Sequence, residues 1–291
     1  MLENIFKKKA EKLLEQFNEK QYLLVIRETK LLLKKVPNNL FLLNLIGSSL
    51  QNLGDLSSAK KIFKNILEMD NKNTSALNNL GNVYKNLKDY SSAEENYKKA
   101  IILNPTFINA LVNYGSLKYE LNNYEEAVEL YKKALNLNNK IPMAHYNLGL
   151  VYQALGRFSD AKFHLQALSK IKPEITAADK ILSRFIKYKD GDPHVDIMEN
   201  KLNQLNLNNL EKIDLFFSLG KAYEDLKNFD KSFHYLKRGN NLKKQISKYK
   251  IEKDKQFFKI LKDFFRNIDF ENINVSKYNK NIIFIVGMPR S

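Results

Sequence analysis

The chain has 291 residues, a hydrophobic content of 44% and a formal net charge of +16. With no cysteine it can form no disulfide framework, thiolate metal site or cysteine nucleophile, and its four scattered histidines are a poor basis for a metal site. No apolar run approaches the roughly 18–20 residues of a membrane span, and the start MLENIFKKKAEKLLEQF breaks every apolar stretch with charge where a secretory signal needs roughly 7–15 in a row, so a cytoplasmic protein without a membrane span is expected.

In chain order, residues 1–39 read as a degenerate helical repeat, aligned over 6–39 with Pro37 at its stop. Residues 40–73, 74–107, 108–141 and 142–175 then align without gaps at a period of 34. Gly47, Gly81, Gly115 and Gly149 recur at one place, and Ala59, Ala93, Ala127 and Ala161 at another. Small residues at fixed places let two helix backbones approach closely. Large partners such as Leu80, Tyr84 and Tyr97, or Leu148, Tyr152 and Leu165, fill the space beside them. Leu56, Tyr90, Tyr124 and Phe158 each stand three residues before the alanine, and Pro105 and Pro173 halt a second helix. Each unit is therefore a helix–turn–helix that cannot cover its own apolar face, and stacked units cover each other.

Residues 176–212 are helical but off-pattern, an irregular pair broken at DGDPH, where Asp190 and Asp192 read as turn residues. Residues 213–246 restore the repeat, with Gly220, Tyr223, Phe229 and Ser232 on schedule. A basic helix and linker follow over 247–280. Lys231 to Lys250 holds seven basic residues and no acidic one, a composition that suits nucleic acid, anionic lipid or an acidic substrate, or simply a solvated helix face. The final stretch 281–291, NIIFIVGMPRS, is different in kind. Ile282 to Val286 form a continuous β-branched and aromatic run, as in a strand buried on both faces. Gly287 and Pro289 shape a loop, of the kind that holds phosphate on backbone amides and a following helix N-terminus. Arg290 adds a forked donor and Ser291 a hydroxyl.

The recurrent places resemble those of the tetratricopeptide repeat family. The resemblance implies an all-α solenoid, a right-handed superhelix of helix–turn–helix repeats, whose first helices line a groove for a protein or peptide. It carries Asn79, Asn113 and Asn147, which share one place, into that groove, with Asn78, Asn82, Tyr119, Tyr146 and Gln153 nearby. An Asn amide matches the donors and acceptors of an extended backbone. His145 falls at a packing place and is expected buried and hydrogen-bonded. His164, His194 and His234 have no metal or catalytic spacing, and adjacent Glu224 and Asp225 point apart. No metal and no specific nucleic acid are expected.

FIVGMPRS resembles the first strand and 5′-phosphosulfate loop of sulfotransferases related to the tyrosylprotein type, in which Pro-Arg-Ser is followed by Gly-Thr-Thr. LGKAYEDLKNFDKSFHYLKRGNNLKK (Leu219 to Lys244) is similar to the last repeat that precedes such a domain in bacterial proteins. This implies 3′-phosphoadenylyl sulfate (PAPS) as donor, with Gly287, Pro289, Arg290 and Ser291 in its site and Arg290 steadying the charge that builds during transfer. The fold expected is a tetratricopeptide solenoid with a C-terminal stub of an α/β, P-loop-like sulfotransferase domain. The chain would then be the peptide-binding arm of a transferase truncated at its loop, binding no cofactor and inactive as given. Two alternatives stand beside it: a stand-alone scaffold or adaptor, and another phosphate-loop enzyme if Gly-Lys came next.

Overall fold

The computed structural model describes residues 2–247 and 250–266. Its helices are α1 (Leu2–Asn18), α2 (Tyr22–Leu33), α3 (Leu40–Asn52), α4 (Leu56–Met69), α5 (Thr74–Asn86), α6 (Tyr90–Leu103), α7 (Ile108–Glu120), α8 (Tyr124–Leu137), α9 (Pro142–Ala154), α10 (Phe158–Ile171), α11 (Ala177–Phe185), α12 (Pro193–Gln204), α13 (Asn209–Asp225), α14 (Phe229–Ile246) and α15 (Ile251–Arg266). Among the described residues there is no strand, and no helix is long and apolar enough to cross a membrane. The strand and phosphate loop expected over 281–291 lie outside the described residues.

Local chemistry sets the helix ends. Asn39 and Asn73 accept hydrogen bonds from the amides of Leu42 and Ala76, and Asp55 and Asp89 from those of Ser58 and Ser92. Each side chain thereby satisfies an otherwise orphaned donor in the first turn. The turn between paired helices requires one residue in the left-handed region. Gly54 and Gly156 supply it, but Lys20, Lys88, Asn122 and Lys227 adopt it at the same place with φ of 59–63°, a conformation that favours glycine.

Within each pair the recurring glycine is the point of closest approach. A Cβ added at Gly47, Gly81, Gly115, Gly149 or Gly220 would come within 2.6–2.7 Å of Phe63, Tyr97, Tyr131, Leu165 or Leu236. The alanines 59, 93, 127 and 161 are fully buried, and Ser232 at the same place in the last repeat donates to the Gly220 carbonyl at 2.8 Å. The apolar residues then join pair to pair, with Tyr97, Tyr131, Leu148 and Tyr152 in one continuous core.

Second helices pack on the next first helix, α4 on α5, α6 on α7 and α8 on α9. First helices also touch each other in the series α3, α5, α7 and α9, whereas second helices make no comparable contact among the described residues. The stack is therefore tighter on the side of its first helices, which becomes its inner side.

The regular pairing lapses after α10. The nine-residue α11 packs on α10 and α13, and α12 packs on α13. An extended stretch and Gly191, at φ +77°, replace the tight turn. Asp192 caps α12 by accepting the His194 amide at 3.0 Å, and Pro193 opens the helix. The chain divides into two compact units at Gly239. In the second unit, α15 buries no residue, and Phe257, Phe258, Phe264 and Phe265 are all more than half exposed.

Candidate peptide-binding face

The inner side of the first helices carries a row of amides linked from repeat to repeat. The Asn79 amide donates to the Asn44 carbonyl oxygen at 3.4 Å, Asn78 donates to Asn79 at 3.2 Å, and Asn113 donates to Asn78 at 2.9 Å. Both inter-repeat links join residues 35 apart, one repeat plus one residue, because the row crosses the helices obliquely. At the next step the acceptor place is Val112, which has no polar atom, and the relay stops. Asn147 instead meets the Tyr131 hydroxyl. Burial foremost holds that phenol above its ordinary range, and Asn147 opposes the rise.

The row divides the sequence-derived candidates. Asn78 is buried at 4% exposure and both its amide groups are engaged, so it supports the face from beneath. Asn79, Asn82, Asn113, Tyr119, Tyr146, Asn147 and Gln153 are half-buried. Asn82 is turned inward, accepting the Tyr97 hydroxyl at 2.6 Å. Tyr119 stacks obliquely on Tyr124 with ring centroids 5.6 Å apart. Asn113 spends one N–H on Asn78, and among the described residues its carbonyl oxygen receives no hydrogen bond. That leaves it one donor and one acceptor, the complement of a peptide unit. Beside Asn147, Tyr146 lines an apolar cavity of about 350 Å³ with Pro142, Met143, Lys172, Ile175 and Ala177. Gly287, Pro289, Arg290 and Ser291 lie outside the described residues.

His145 is buried, with Nε2 3.0 Å from the Asn139 carbonyl oxygen and Nδ1 3.0 Å from Nδ1 of His164. The carbonyl requires a proton on His145 Nε2. Its bare Nδ1 then accepts from His164 Nδ1–H. Burial first, and the neighbouring His145 second, lower the His164 pKa from 6.5 to about 4.

Two charged clusters have no signature in local spacing. Lys118 on α7 is 5% exposed and bridges Glu94 of α6 at 3.0 Å and Glu126 of α8 at 2.8 Å. Burial pulls its pKa down, but the two carboxylates carry it above the usual lysine range. The Glu94 carboxyl falls to about 2, chiefly through its hydrogen bond from Lys98. Further along, Asp179 of α11 is fully buried against Lys201 of α12 at 2.7 Å and the His194 ring at 3.0 Å. The Tyr188 hydroxyl contacts His194 at 2.8 Å, and Lys201 donates to Ser169 at 2.8 Å. His194 has no metal or catalytic spacing in the sequence. Its partners stand 15 and 6 residues away, and only the α11–α12 geometry joins them. Among the described residues no group of three or more His, Cys, Asp or Glu is arranged to hold a metal.

Comparison with known proteins agrees with this architecture. The family described as tetratricopeptide repeat matches residues 74–107 and, in a second form, 42–73, 144–175 and 213–246. A third form, described as TPR repeat, matches 115–156. No curated protein matches the sequence. Among solved structures, PilF of Pseudomonas aeruginosa is similar at 22% identity and a TM-score of 0.56, over 71% of this chain and 91% of that one. The Cut9–Hcn1 hetero-tetramer of the APC/C contains a chain similar at 21% identity and a TM-score of 0.54, over 76% of this chain and 43% of that one. A tetratricopeptide repeat protein of Parabacteroides merdae is similar at 19% identity and a TM-score of 0.52, over 87% and 97%. At these identities the likeness concerns the fold. With its repeats matched over more than half of its length, the chain belongs to the tetratricopeptide repeat family.

Proposed function

We propose that the chain is a protein-binding scaffold that holds an extended peptide along its first helices, from α5 to α9. The observation that carries this reading is the asparagine row. Its upstream members satisfy one another, while Asn113 and Asn147 keep hydrogen-bonding capacity toward solvent at the downstream end. Amides matched to a peptide backbone give affinity with little regard to sequence. The cavity at Tyr146 would add selectivity by taking one apolar side chain. A peptide selected from a displayed random library against the full chain supplies the probe. Asn113→Ala with Asn147→Ala is expected to weaken it by about tenfold or more, while Asn65→Ala with Asn136→Ala, on exposed places of α4 and α8, leaves it unchanged. Equal affinities across the two pairs would refute the reading.

The finer reading, an arm of a PAPS-dependent sulfotransferase that presents a protein acceptor, draws its support from FIVGMPRS (Phe284 to Ser291) and from the repeat at Leu219 to Lys244. In that reading Gly287, Pro289, Arg290 and Ser291 belong to the donor site. The codons after Ser291 decide it: Gly-Thr-Thr followed by a helical pattern supports the arm. A stop codon favours the stand-alone scaffold, and Gly-Lys a nucleotide loop.

A further inference from the structure

Where the regular pairing lapses, α10, the stretch before α12 and the start of α12 enclose a cavity of about 500 Å³. Four lysines line it: Lys162 and Lys170 from α10, and Lys187 and Lys189 from the extended stretch. Among the described residues none of the four closes an ion pair within 4 Å of a carboxylate, although Lys187 stands near enough to Asp225 to help lower that carboxyl's pKa. Two acids share the lining, the exposed Asp190 and Asp192, whose carboxylate accepts the His194 amide at the α12 cap, so four cations stand against two carboxylates. The carboxylate beneath, Asp179, is neutralised by Lys201 and hydrogen-bonded by His194. Ser169 accepts from Lys201, which leaves its own O–H to donate outward. The cavity thus gathers positive charge and donors over a floor whose one buried acid is already satisfied.

The cavity does not end there. Ser169, Lys170 and Ile197 also line a neighbouring trough of about 350 Å³ that continues over Pro173, Gln204 and Leu205. Ile197 stands between the two, 44% exposed. The α10 side of the trough belongs to a second helix, whereas the asparagine row lies on first helices.

We infer that cavity and trough form a second binding surface, which takes an acidic peptide segment. Its carboxylates sit among Lys162, Lys170, Lys187 and Lys189, and an adjoining apolar side chain covers Ile197. The alternation of charged and apolar floor is what distinguishes this occupant. Nucleic acid would use the lysines, but the lining offers no Phe, Tyr or Trp face on which bases stack.

The test uses the full chain and a fluorescein-labelled peptide of four glutamates followed by leucine and phenylalanine, read by anisotropy at physiological salt. Lys187→Glu with Lys189→Glu changes two exposed side chains outside any helix, and circular dichroism confirms the fold. This pair is expected to weaken binding by about tenfold or more. Lys64→Glu with Lys133→Glu, equal in charge and placed on α4 and α8, should change it by less than about twofold. Ile197→Ser should weaken the glutamate–leucine–phenylalanine peptide and leave an all-glutamate peptide unaffected. Equal losses in the two lysine pairs, absence of binding to the unaltered chain, or preference for a single-stranded oligonucleotide of equal charge would each overturn the proposal.

Discussion

His164 illustrates how one side chain couples this fold to pH. Its ring is neutral in the folded chain because burial, and then His145, lower its pKa to about 4, with Lys132 adding to the effect and Asp160 opposing it. The unfolded chain binds that proton near the ordinary value of 6.5, so between pH 6.5 and 4 the unfolded state holds more protons. The contribution is complete above pH 6.5 and is lost as the pH falls toward 4. Thermal unfolding midpoints across that window should fall more steeply for the native chain than for His164→Gln. A parallel dependence would show that other groups carry it. The burial of His145 was legible from its place in the repeat, but the His145–His164 contact was not. The pair is 19 residues apart on two helices, and its contact follows from their packing. The asparagine row was half legible. The common place of Asn79, Asn113 and Asn147 could be read from the period, but the links to Asn44 and Asn78, and the break at Val112, depend on how far one first helix is offset from the next.

At the level of elements, the regular pairs follow from spacing alone. A glycine and a large residue 16 positions later meet in each pair, because the turn between their helices has a fixed length. The segment 176–212 has no such rule, and here buried charge takes the place of repeated small residues. Asp179, Lys201 and Ser169 tie α11, α12 and α10 together. Lys201→Met leaves Asp179 with His194 alone and should destabilise the chain by about 3–5 kcal/mol. Asp179→Asn in the same chain should recover much of that loss, because the stranded charge is then gone. Chemical denaturation of both single variants and the double variant measures the coupling. Additive losses would show that the pair does not act as a unit. Nothing in local spacing announces this tie, since Lys201 stands 22 residues from Asp179 and 32 from Ser169.

In the array as a whole, each repeat rests on its neighbours, and the function proposed depends on that order. Close approach at the glycines brings paired helices together, contact between successive first helices sets them on the inner side of the stack, and that side carries the half-buried Asn113 and Asn147, each with one amide hydrogen bond already made and further capacity left. The most direct measurement is the hydrogen-exchange footprint of a library-selected peptide on the full chain. Slowed exchange concentrated in α5, α7 and α9 is the predicted result. A footprint confined to the second helices α4, α6, α8 and α10, with the first helices unchanged, would contradict it.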